Sequence, residues 1–127
     1  MSGVSDMLYR RSHEWVRFED GGSAALIGIT DHAQETLGGL VFVNLPAAGD
    51  EVSAGASFAD VESVKAVSDI YSPVSGRIAA VNEALLEAPE IINETPYEAW
   101  IVRVEDITDY EKLMNAEEYE AFCSAEV

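Results

Sequence analysis

The sequence predicts a mainly β domain of the sandwich or barrel class, with one short internal helix and helices at the C-terminus. Glycine and proline interrupt the middle of the chain about every six to ten residues, a spacing typical of such folds. The segments between them are apolar and strand-like, whereas helix signals mark one internal segment and the tail. With 127 residues, 48% of them hydrophobic, the chain suits one domain over 1–127 with a single core.

Two strands are predicted on either side of an early glycine turn. Within residues 8–18, the side chains around Trp15 alternate in character, as in a strand with two different faces. The Asp-Gly-Gly turn at 20–22 then leads into a strand over 23–29. Because a two-stranded hairpin is not stable alone, later strands are expected to cover its apolar face.

A short helix over residues 31–37 is predicted from its two ends. Thr30 and Asp31 are N-cap residues, Gln34 is placed for reciprocal capping, and Gly38-Gly39 follows the last turn. The remaining strands are identified by apolar runs between glycine and proline. They are a buried strand over 40–45 ended by Pro46, a strand over 52–58 interrupted at Gly55, a strand over 77–81, and a half-buried last strand over 100–105.

The sequence patterns in the rest of the C-terminal half predict loops and helices. Residues 82–90, stopped at Pro89, read as a short helix-like loop or an irregular cover, and 93–96 as a turn. Two capping boxes then predict two consecutive short helices in the tail. The boxes are Thr108 with Glu111 and Asn115 with Glu118, and the apolar residues expected to pack on the barrel are Leu113, Met114, Tyr119 and Phe122.

The charge of the chain limits its partners. With 24 acidic against 7 basic residues, the formal net charge is −17. Nucleic acid and anionic membranes would repel this surface, so neither is an expected partner, and basic protein surfaces are its complement. The first eight residues contain an Asp and no Arg or Lys, so they do not resemble a targeting segment. The expected location is the cytoplasm, although a mature mitochondrial form would have a similar sequence.

Cysteine and histidine, which often act as nucleophiles or metal ligands, are few in the chain, with one cysteine and two histidines. The single cysteine, Cys123, excludes an internal disulfide, and its acidic neighbours do not favour a thiolate, so we interpret it as a buried or half-buried side chain. His13 and His32 show no spacing motif, so no metal site is expected, and no catalytic set is apparent. The sequence therefore indicates a protein that carries chemistry performed elsewhere, and not an enzyme.

One lysine is singled out by its position. Of the two lysines in the chain, Lys112 falls in a predicted helix, whereas Lys65 lies between two strand-like runs and is predicted at a hairpin tip. From composition alone, Lys65 is an ordinary surface lysine. Its neighbourhood is Glu62-Ser63-Val64-Lys65-Ala66, followed by Ser68-Asp69-Ile70-Tyr71-Ser72-Pro73-Val74-Ser75-Gly76.

This segment resembles the lipoyl-attachment segment of the glycine cleavage system H protein family. Other motifs in the family's order extend the resemblance over nearly the whole chain. They are Ser12-His13-Glu14-Trp15-Val16, Gly28-Ile29-Thr30-Asp31-His32-Ala33-Gln34, Leu45-Pro46, Val81-Asn82-Glu83, Asn93-Glu94, Pro96-Tyr97 and Ala116-Glu117-Glu118-Tyr119. Several motifs in register imply a single lipoyl-carrier domain with the barrel-sandwich hybrid fold of lipoyl and biotinyl carriers.

The resemblance implies a function for Lys65. Lipoate would be attached to it in amide linkage, and the arm would accept the aminomethyl group left after glycine decarboxylation. The implied partners are the pyridoxal-phosphate P protein, the tetrahydrofolate-dependent T protein, dihydrolipoyl dehydrogenase, and a lipoate ligase or lipoyl/octanoyl transferase that attaches the cofactor. A monomer is expected. The cofactor supplies the reactivity, and the protein supplies its orientation.

The family's pattern also implies residues that cradle the loaded arm. These are Ser12, Glu14 and Asp69, with His32 either lining the same cleft or only sitting in the first turn of its helix. Glu14 and Asp69 are both expected near the surface, where carboxylates are ordinarily solvated. The chain departs from the pattern at 96–100, where it is one residue shorter than the family and lacks a glycine, which puts the shape of a surface loop in doubt.

Two alternatives stay open. The first is an H-like relay protein that passes lipoate to other acceptors. The second is an acidic interaction domain in which Lys65 is never modified. A biotin carrier is disfavoured because Val64 and Ala66 flank the lysine, where biotin carriers resemble Met-Lys-Met.

Overall fold

The structure, a computed structural model, describes residues 7–125. Most of the N-terminal stretch on which the expectation of no targeting segment depends lies outside this range. Nine strands form two antiparallel sheets. The six-stranded sheet has the order β1-β2-β3-β9-β8-β5, and the three-stranded sheet has the order β4-β6-β7. The strands are β1 (Met7–Tyr9), β2 (Glu14–Glu19), β3 (Ala24–Ile29), β4 (Leu40–Asn44), β5 (Glu51–Val52), β6 (Ser57–Ser63), β7 (Val67–Tyr71), β8 (Val74–Val81) and β9 (Val102–Tyr110).

The mainly β prediction is confirmed, with corrections to individual strands. The predicted first strand over 8–18 is two strands, β1 and β2, joined by a turn in which His13 has a positive φ of 77°. The predicted strand over 52–58 is also two, because Gly55, with φ +89°, lies where the chain passes from one sheet to the other. In β4, Leu40 and Val43 are buried as expected, but Phe42 is 45% exposed because it lies on the outer face of the three-stranded sheet.

Three of the described α-helices lie in connections between strands, and the fourth is at the C-terminal end. They are α1 (Asp31–Leu37), α2 (Ala84–Glu87), α3 (Ile91–Glu94) and α4 (Ala116–Ala125). The bounds of α1 agree with the prediction, and the Thr30 side chain caps it by accepting from the Ala33 N–H at 3.2 Å. Gln34 does not cap it reciprocally. Its amide instead donates to Asp31 Oδ1 at 2.8 Å.

The segment between β8 and β9 contains more helix than expected. Residues 82–90 include the single turn α2, which ends before Pro89, and α3 replaces part of the turn predicted over 93–96. The shortened loop at 96–100 is not a simple surface loop, since Pro96 and Ala99 are buried. The Pro96 carbonyl accepts a 2.9 Å hydrogen bond from Trp15 Nε1, which ties this loop to β2.

Of the two predicted C-terminal helices, only the second is present. The helix expected from Thr108 and Glu111 is wrong, because β9 continues to Tyr110 in register with β8. A capping box is a local pattern, and here the strand pairing overrides it. Lys112 consequently lies between β9 and α4, not in a helix. The capping box at α4 is confirmed by reciprocal bonds of 2.9 and 2.8 Å between Asn115 and Glu118.

The six-stranded sheet has an apolar cluster on each face. Val16, Ile27 and Val104 belong to the main core between the two sheets. The adjacent residue Trp15 points to the opposite face, where it forms a second cluster with Met7, Tyr9 and Tyr119. The Tyr119 ring of α4 stacks on Tyr9 with centroids 4.6 Å apart. The C-terminal helix therefore covers a sheet face that would otherwise expose these aromatic rings to water. Within residues 7–125, no helix is both long and apolar enough to span a membrane.

Gly28 makes room for the Trp15 ring. The two residues are paired across β2 and β3, and a Cβ atom on Gly28 would lie 2.5 to 2.7 Å from atoms of the indole. No real Cβ contact is that short, so either the fully buried ring or the strand would have to move. Gly39 offers a matched comparison because a Cβ there meets nothing within 4 Å.

We predict that Gly28→Ala destabilises the fold by about 1–3 kcal/mol, the usual cost of overpacking a core. Gly39→Ala should change the free energy of unfolding by less than about 0.5 kcal/mol. Urea unfolding followed by tryptophan fluorescence measures both. Equal midpoints for the two variants would contradict the role assigned to Gly28.

Candidate functional site

Lys65 lies at the tip of the β6–β7 hairpin, as predicted. β6 ends at Ser63 and β7 begins at Val67, so the turn contains only three residues between them. The Ser63 hydroxyl accepts the backbone N–H groups of Lys65 at 3.2 Å and Ala66 at 3.1 Å. The Ser63 N–H donates to the Ala66 carbonyl at 2.8 Å. These bonds fix the backbone of the tip, while the Lys65 side chain is exposed to solvent.

The tip rests against the turn that ends α1. The Val64 N–H donates to the Gly39 carbonyl at 3.3 Å. A Cβ on Gly38 would lie 3.7 Å from Lys65 Cε, so the aliphatic stem of the lysine passes beside this glycine. Gly38 has φ +83° and ψ −162°, a conformation that is essentially restricted to glycine. The root of the Lys65 side chain is therefore positioned by a second element as well as by its own hairpin.

Asn93 holds that turn in place. Its amide nitrogen donates to Gln34 Oε1 at 2.9 Å and to the Gly38 carbonyl at 3.0 Å. Its amide oxygen accepts the Leu40 N–H at 2.9 Å. One side chain from α3 thus joins the end of α1 to the start of β4. The sequence motif Asn93-Glu94 belongs to the family resemblance, but nothing in its spacing indicates this bridging role.

A second polar group lies at the other end of β7. The Glu14 carboxylate accepts a short hydrogen bond from the Ser12 hydroxyl and a 2.8 Å bond from the Tyr71 N–H. Arg10 donates to Ser12 Oγ at 2.6 Å, and its guanidinium lies 5.2 Å from the centre of the Tyr71 ring. The structure therefore brings Ser12 and Glu14 together, and it connects both of them to the last residue of β7.

The expectation that Glu14 is a surface carboxylate is wrong. Only 1% of the residue is exposed, because β2 places it on the inner side of its sheet, next to the end of β7. Burial raises the pKa of the Glu14 carboxyl above its ordinary value of 4.5, and the hydrogen bonds from Ser12 and Tyr71 offset only part of this effect. Glu14 is therefore out of reach of solvent and accepts a hydrogen bond from Ser12, which is itself exposed.

Asp69 is exposed, as expected, and it lies on the outer face of β7. Strand pairing places it directly opposite Asp60 of β6, whose carboxylate accepts a 2.7 Å bond from Asn44. Side chains two residues apart share a sheet face, so Val67, Asp69 and Tyr71 follow one another along this face from the lysine tip. We call this row, with Ser12 at its far end, the β7 strip. It is the exposed surface that connects Lys65 with the predicted arm-cradling residues.

His32 belongs to a different group of contacts. It lies in the first turn of α1, one of its two expected positions, and its ring stacks on His13 with centroids 4.4 Å apart. The His13 ring in turn contacts Tyr119 and Phe122 of α4, so this pair is grouped with the C-terminal helix. The sequence identified the four candidate residues but not Arg10, Tyr71 or Asn93, whose roles depend on contacts between distant segments.

An exposed lysine at the tip of a hairpin, on a scaffold of two antiparallel sheets, is the arrangement typical of carrier proteins of the swinging-arm class. The chain matches the family model described as glycine cleavage H-protein over residues 7–126. It therefore belongs to the glycine cleavage H-protein family.

Individual relatives agree with this assignment. The glycine cleavage system H protein of Lachnoclostridium phytofermentans is 58% identical, over 100% of this chain and 99% of the relative. The mitochondrial glycine cleavage system H protein 2 of Arabidopsis thaliana is 52% identical, over 97% of this chain and 80% of the relative. The crystal structure of the Mycobacterium marinum glycine cleavage system H protein superimposes with a TM-score of 0.88 at 40% identity, covering 98% and 99% of the two chains.

These matches confirm the barrel-sandwich fold and the class of function that the sequence predicts. The chain is the lipoyl-carrier component of the glycine cleavage system, which is a carrier and not a catalyst. As such it works with the other components of that system, the P, T and L proteins.

We predict that Glu14 makes the stability of this protein depend on pH. Because its pKa is raised in the folded state, the folded protein binds more protons than the unfolded chain between the unfolded and folded pKa values. The free energy of unfolding of the parent should therefore fall, relative to that of Glu14→Gln, as pH rises through this interval. Above the folded pKa, the difference between the two should be constant.

Urea unfolding of both proteins at a series of pH values, from the ordinary carboxyl pKa to neutrality, measures this difference. The hydrogen bonds changed by the amide add a constant offset, which does not affect the slope. A difference that does not vary with pH would contradict a raised pKa at Glu14.

Proposed function

We propose that Lys65 carries lipoate in amide linkage to Nζ, and that this arm serves the P, T and L proteins in turn. The observation that carries the proposal is the exposed position of Lys65 at a hairpin tip held by two sets of backbone hydrogen bonds. When bound, the lipoyl group supplies a disulfide that opens to accept the aminomethyl group from glycine and is later reoxidised. The protein has to present one amine, fix its root and leave its far end mobile.

The residues at the tip fit this group. Attachment requires an amine that an acylating enzyme can reach, and within residues 7–125 the Lys65 ammonium takes part in none of the ion pairs found. Its neighbours Val64 and Ala66 are exposed, so they do not shield it. The aliphatic stem of the lysine passes beside Gly38, with Cε 3.7 Å from the position that a Cβ would take there. A lipoate ligase or a lipoyl/octanoyl transferase would find the same exposed tip.

We further propose that the β7 strip cradles the loaded arm. Asp69 and Ser12 offer exposed acceptors to an ammonium group, and a carboxylate makes charge-assisted hydrogen bonds to such a group. The carboxylate of Asp60, opposite Asp69, instead accepts a 2.7 Å hydrogen bond from Asn44. Glu14 contributes from below by accepting a hydrogen bond from the Ser12 hydroxyl, and His32, whose ring stacks on His13, is the fourth candidate for contact with the arm.

The protein is proposed to work as a monomer. Its net charge of −17 opposes association of identical copies, and a monomer leaves Lys65 accessible to three different enzymes. The same charge favours short-lived encounters with basic surfaces, as a shuttle requires. The compartment stays a prediction, because the relatives include bacterial proteins and one whose name places it in mitochondria.

We predict that Lys65 is the only lipoylation site. Lys65→Arg should fold normally and remain unmodified in a host that attaches lipoate, because a guanidinium offers no free amine. Lys112→Arg is the matched control and should be modified like the parent, since Lys112 lies outside the hairpin. Intact mass and peptide mapping of segment 62–76 measure the modification. A lipoyl mass increment that persists in Lys65→Arg would refute the assignment.

We also predict that Asp69 protects the loaded arm. Asp69→Asn and the control Asp60→Asn each remove one charge from the same cross-strand pair, so both should change stability by no more than about 0.5 kcal/mol. After loading with glycine by the P protein, only Asp69→Asn should release ammonia faster than the parent in the absence of the T protein. Equal release rates for the two variants would remove Asp69 from the site.

A further inference from the structure

The only two histidines and the only cysteine of the chain meet at one place. His13 comes from the β1–β2 turn, His32 from the first turn of α1 and Cys123 from α4. Their ligand atoms all lie within 4.8 Å of one another, and all three residues are half-buried. The sequence predicts no metal site, since these residues have no spacing motif, but the fold brings together every histidine and cysteine of the chain.

The surroundings hold His13 in the manner of a metal ligand. Its Nδ1 lies 2.6 Å from the Tyr119 hydroxyl, and that hydroxyl lies 2.7 Å from Thr30 Oγ1. A histidine that binds a metal commonly uses one ring nitrogen for the metal and the other for such an orienting hydrogen bond. Nε2 is therefore the atom through which His13 would bind. Tyr119 lies one helical turn before Cys123, so α4 supplies both the orienting group and the thiol.

We propose that His13, His32 and Cys123 form a binding site for Zn²⁺. Two imidazole nitrogens and one thiolate are ligands that this ion prefers, and three protein ligands leave a fourth position for water or another group. Zn–N distances of about 2.0–2.1 Å and Zn–S of about 2.3 Å require ligand atoms about 3.3–3.6 Å apart. Binding also requires the His13 and His32 rings, which are stacked with centroids 4.4 Å apart, to rotate until a nitrogen lone pair of each points at the ion.

The site is accessible and electrostatically suited to a cation. An open cavity of about 280 Å³ lies beside it, lined by His32 and Cys123 together with Glu120. On binding, the Cys123 thiol loses its proton to solvent as the Zn–S bond forms, both histidines bind as neutral imidazoles, and no electron is transferred.

Zn²⁺ at this position would join three segments that are far apart in the chain. The β1–β2 turn, α1 and the C-terminal helix would share one ion, which would bind the folded protein and not the unfolded chain. The ion should therefore raise the thermal stability of the protein, by an amount that grows with the logarithm of the free Zn²⁺ concentration above Kd. This function does not depend on lipoate, because none of the three ligands belongs to the Lys65 hairpin.

The test uses the full chain as Lys65→Arg, so that no lipoyl dithiol competes for the metal. Calorimetric titration of metal-free protein with Zn²⁺ should give one site per chain, with a proton release that is revealed by buffers of different ionisation enthalpy. Co²⁺ should produce thiolate-to-metal charge-transfer absorption in the near ultraviolet. Cys123→Ser and His32→Gln should each weaken Zn²⁺ binding at least tenfold, and Cys123→Ser should abolish the charge-transfer band.

Glu117→Gln is the matched control on α4 and should bind Zn²⁺ within about twofold of the parent. Circular dichroism establishes that each variant is folded, and Cys123→Ala provides a second way to remove the thiol. The proposal is overturned if no binding is detected, if Co²⁺ binds without a charge-transfer band, or if both cysteine variants bind as tightly as the parent. Equal loss in Glu117→Gln and Cys123→Ser would also overturn it, because surface carboxylates would then be the binding groups.

Discussion

The position of the lysine tip depends on hydrogen bonds that lead back to one side chain, Asn93. The Val64 N–H of the tip bonds to Gly39, and the turn around Gly39 is held by the Asn93 amide, which bonds to residues on both sides of it. A long flexible arm is useful only if its root has a defined place. Here the bonds hold backbone N–H groups of the hairpin tip, so the exposed side chain of Lys65 is not needed to stabilise the turn.

The six-stranded sheet separates two apolar clusters, one on each of its faces. Its inner face closes the main core with the three-stranded sheet that carries the lysine. Its outer face holds the aromatic cluster under α4. Trp15 and Val16, adjacent in β2, belong to these two clusters, and Gly28 opposite Trp15 supplies the space for the indole. The C-terminal helix also reaches α1, because the Tyr119 hydroxyl lies 2.7 Å from Thr30 Oγ1, and the turn that ends α1 bonds to the lysine tip.

Local patterns predicted much of this architecture from the sequence. The cap residues fixed α1 to its observed bounds, and the apolar runs on either side of Lys65 placed it at a hairpin tip. The incorrect predictions concern residues whose structure is determined by contacts with a distant segment of the chain. Pairing with β8 overrides the capping box at Thr108, and the prediction of a solvated Glu14 is wrong because burial depends on the whole fold. Asn93 and the cluster around Cys123 have no local pattern, since their partners are 50 or more positions away in the chain.

The bond from the Tyr71 N–H to Glu14 also has a meaning for assembly. β7 is at the edge of its sheet, and an edge strand with unpaired N–H groups is a template for a strand from another molecule. The Glu14 carboxylate occupies one of the positions that such an incoming strand would use, and it is fixed there by its own burial. Under the proposed function this hairpin is presented to several enzymes, and the bond to Glu14 makes its edge less available to copies of the same protein. By accepting the Tyr71 N–H, the buried Glu14 carboxylate thus reduces the number of unpaired groups through which β7 could pair with a strand of another molecule.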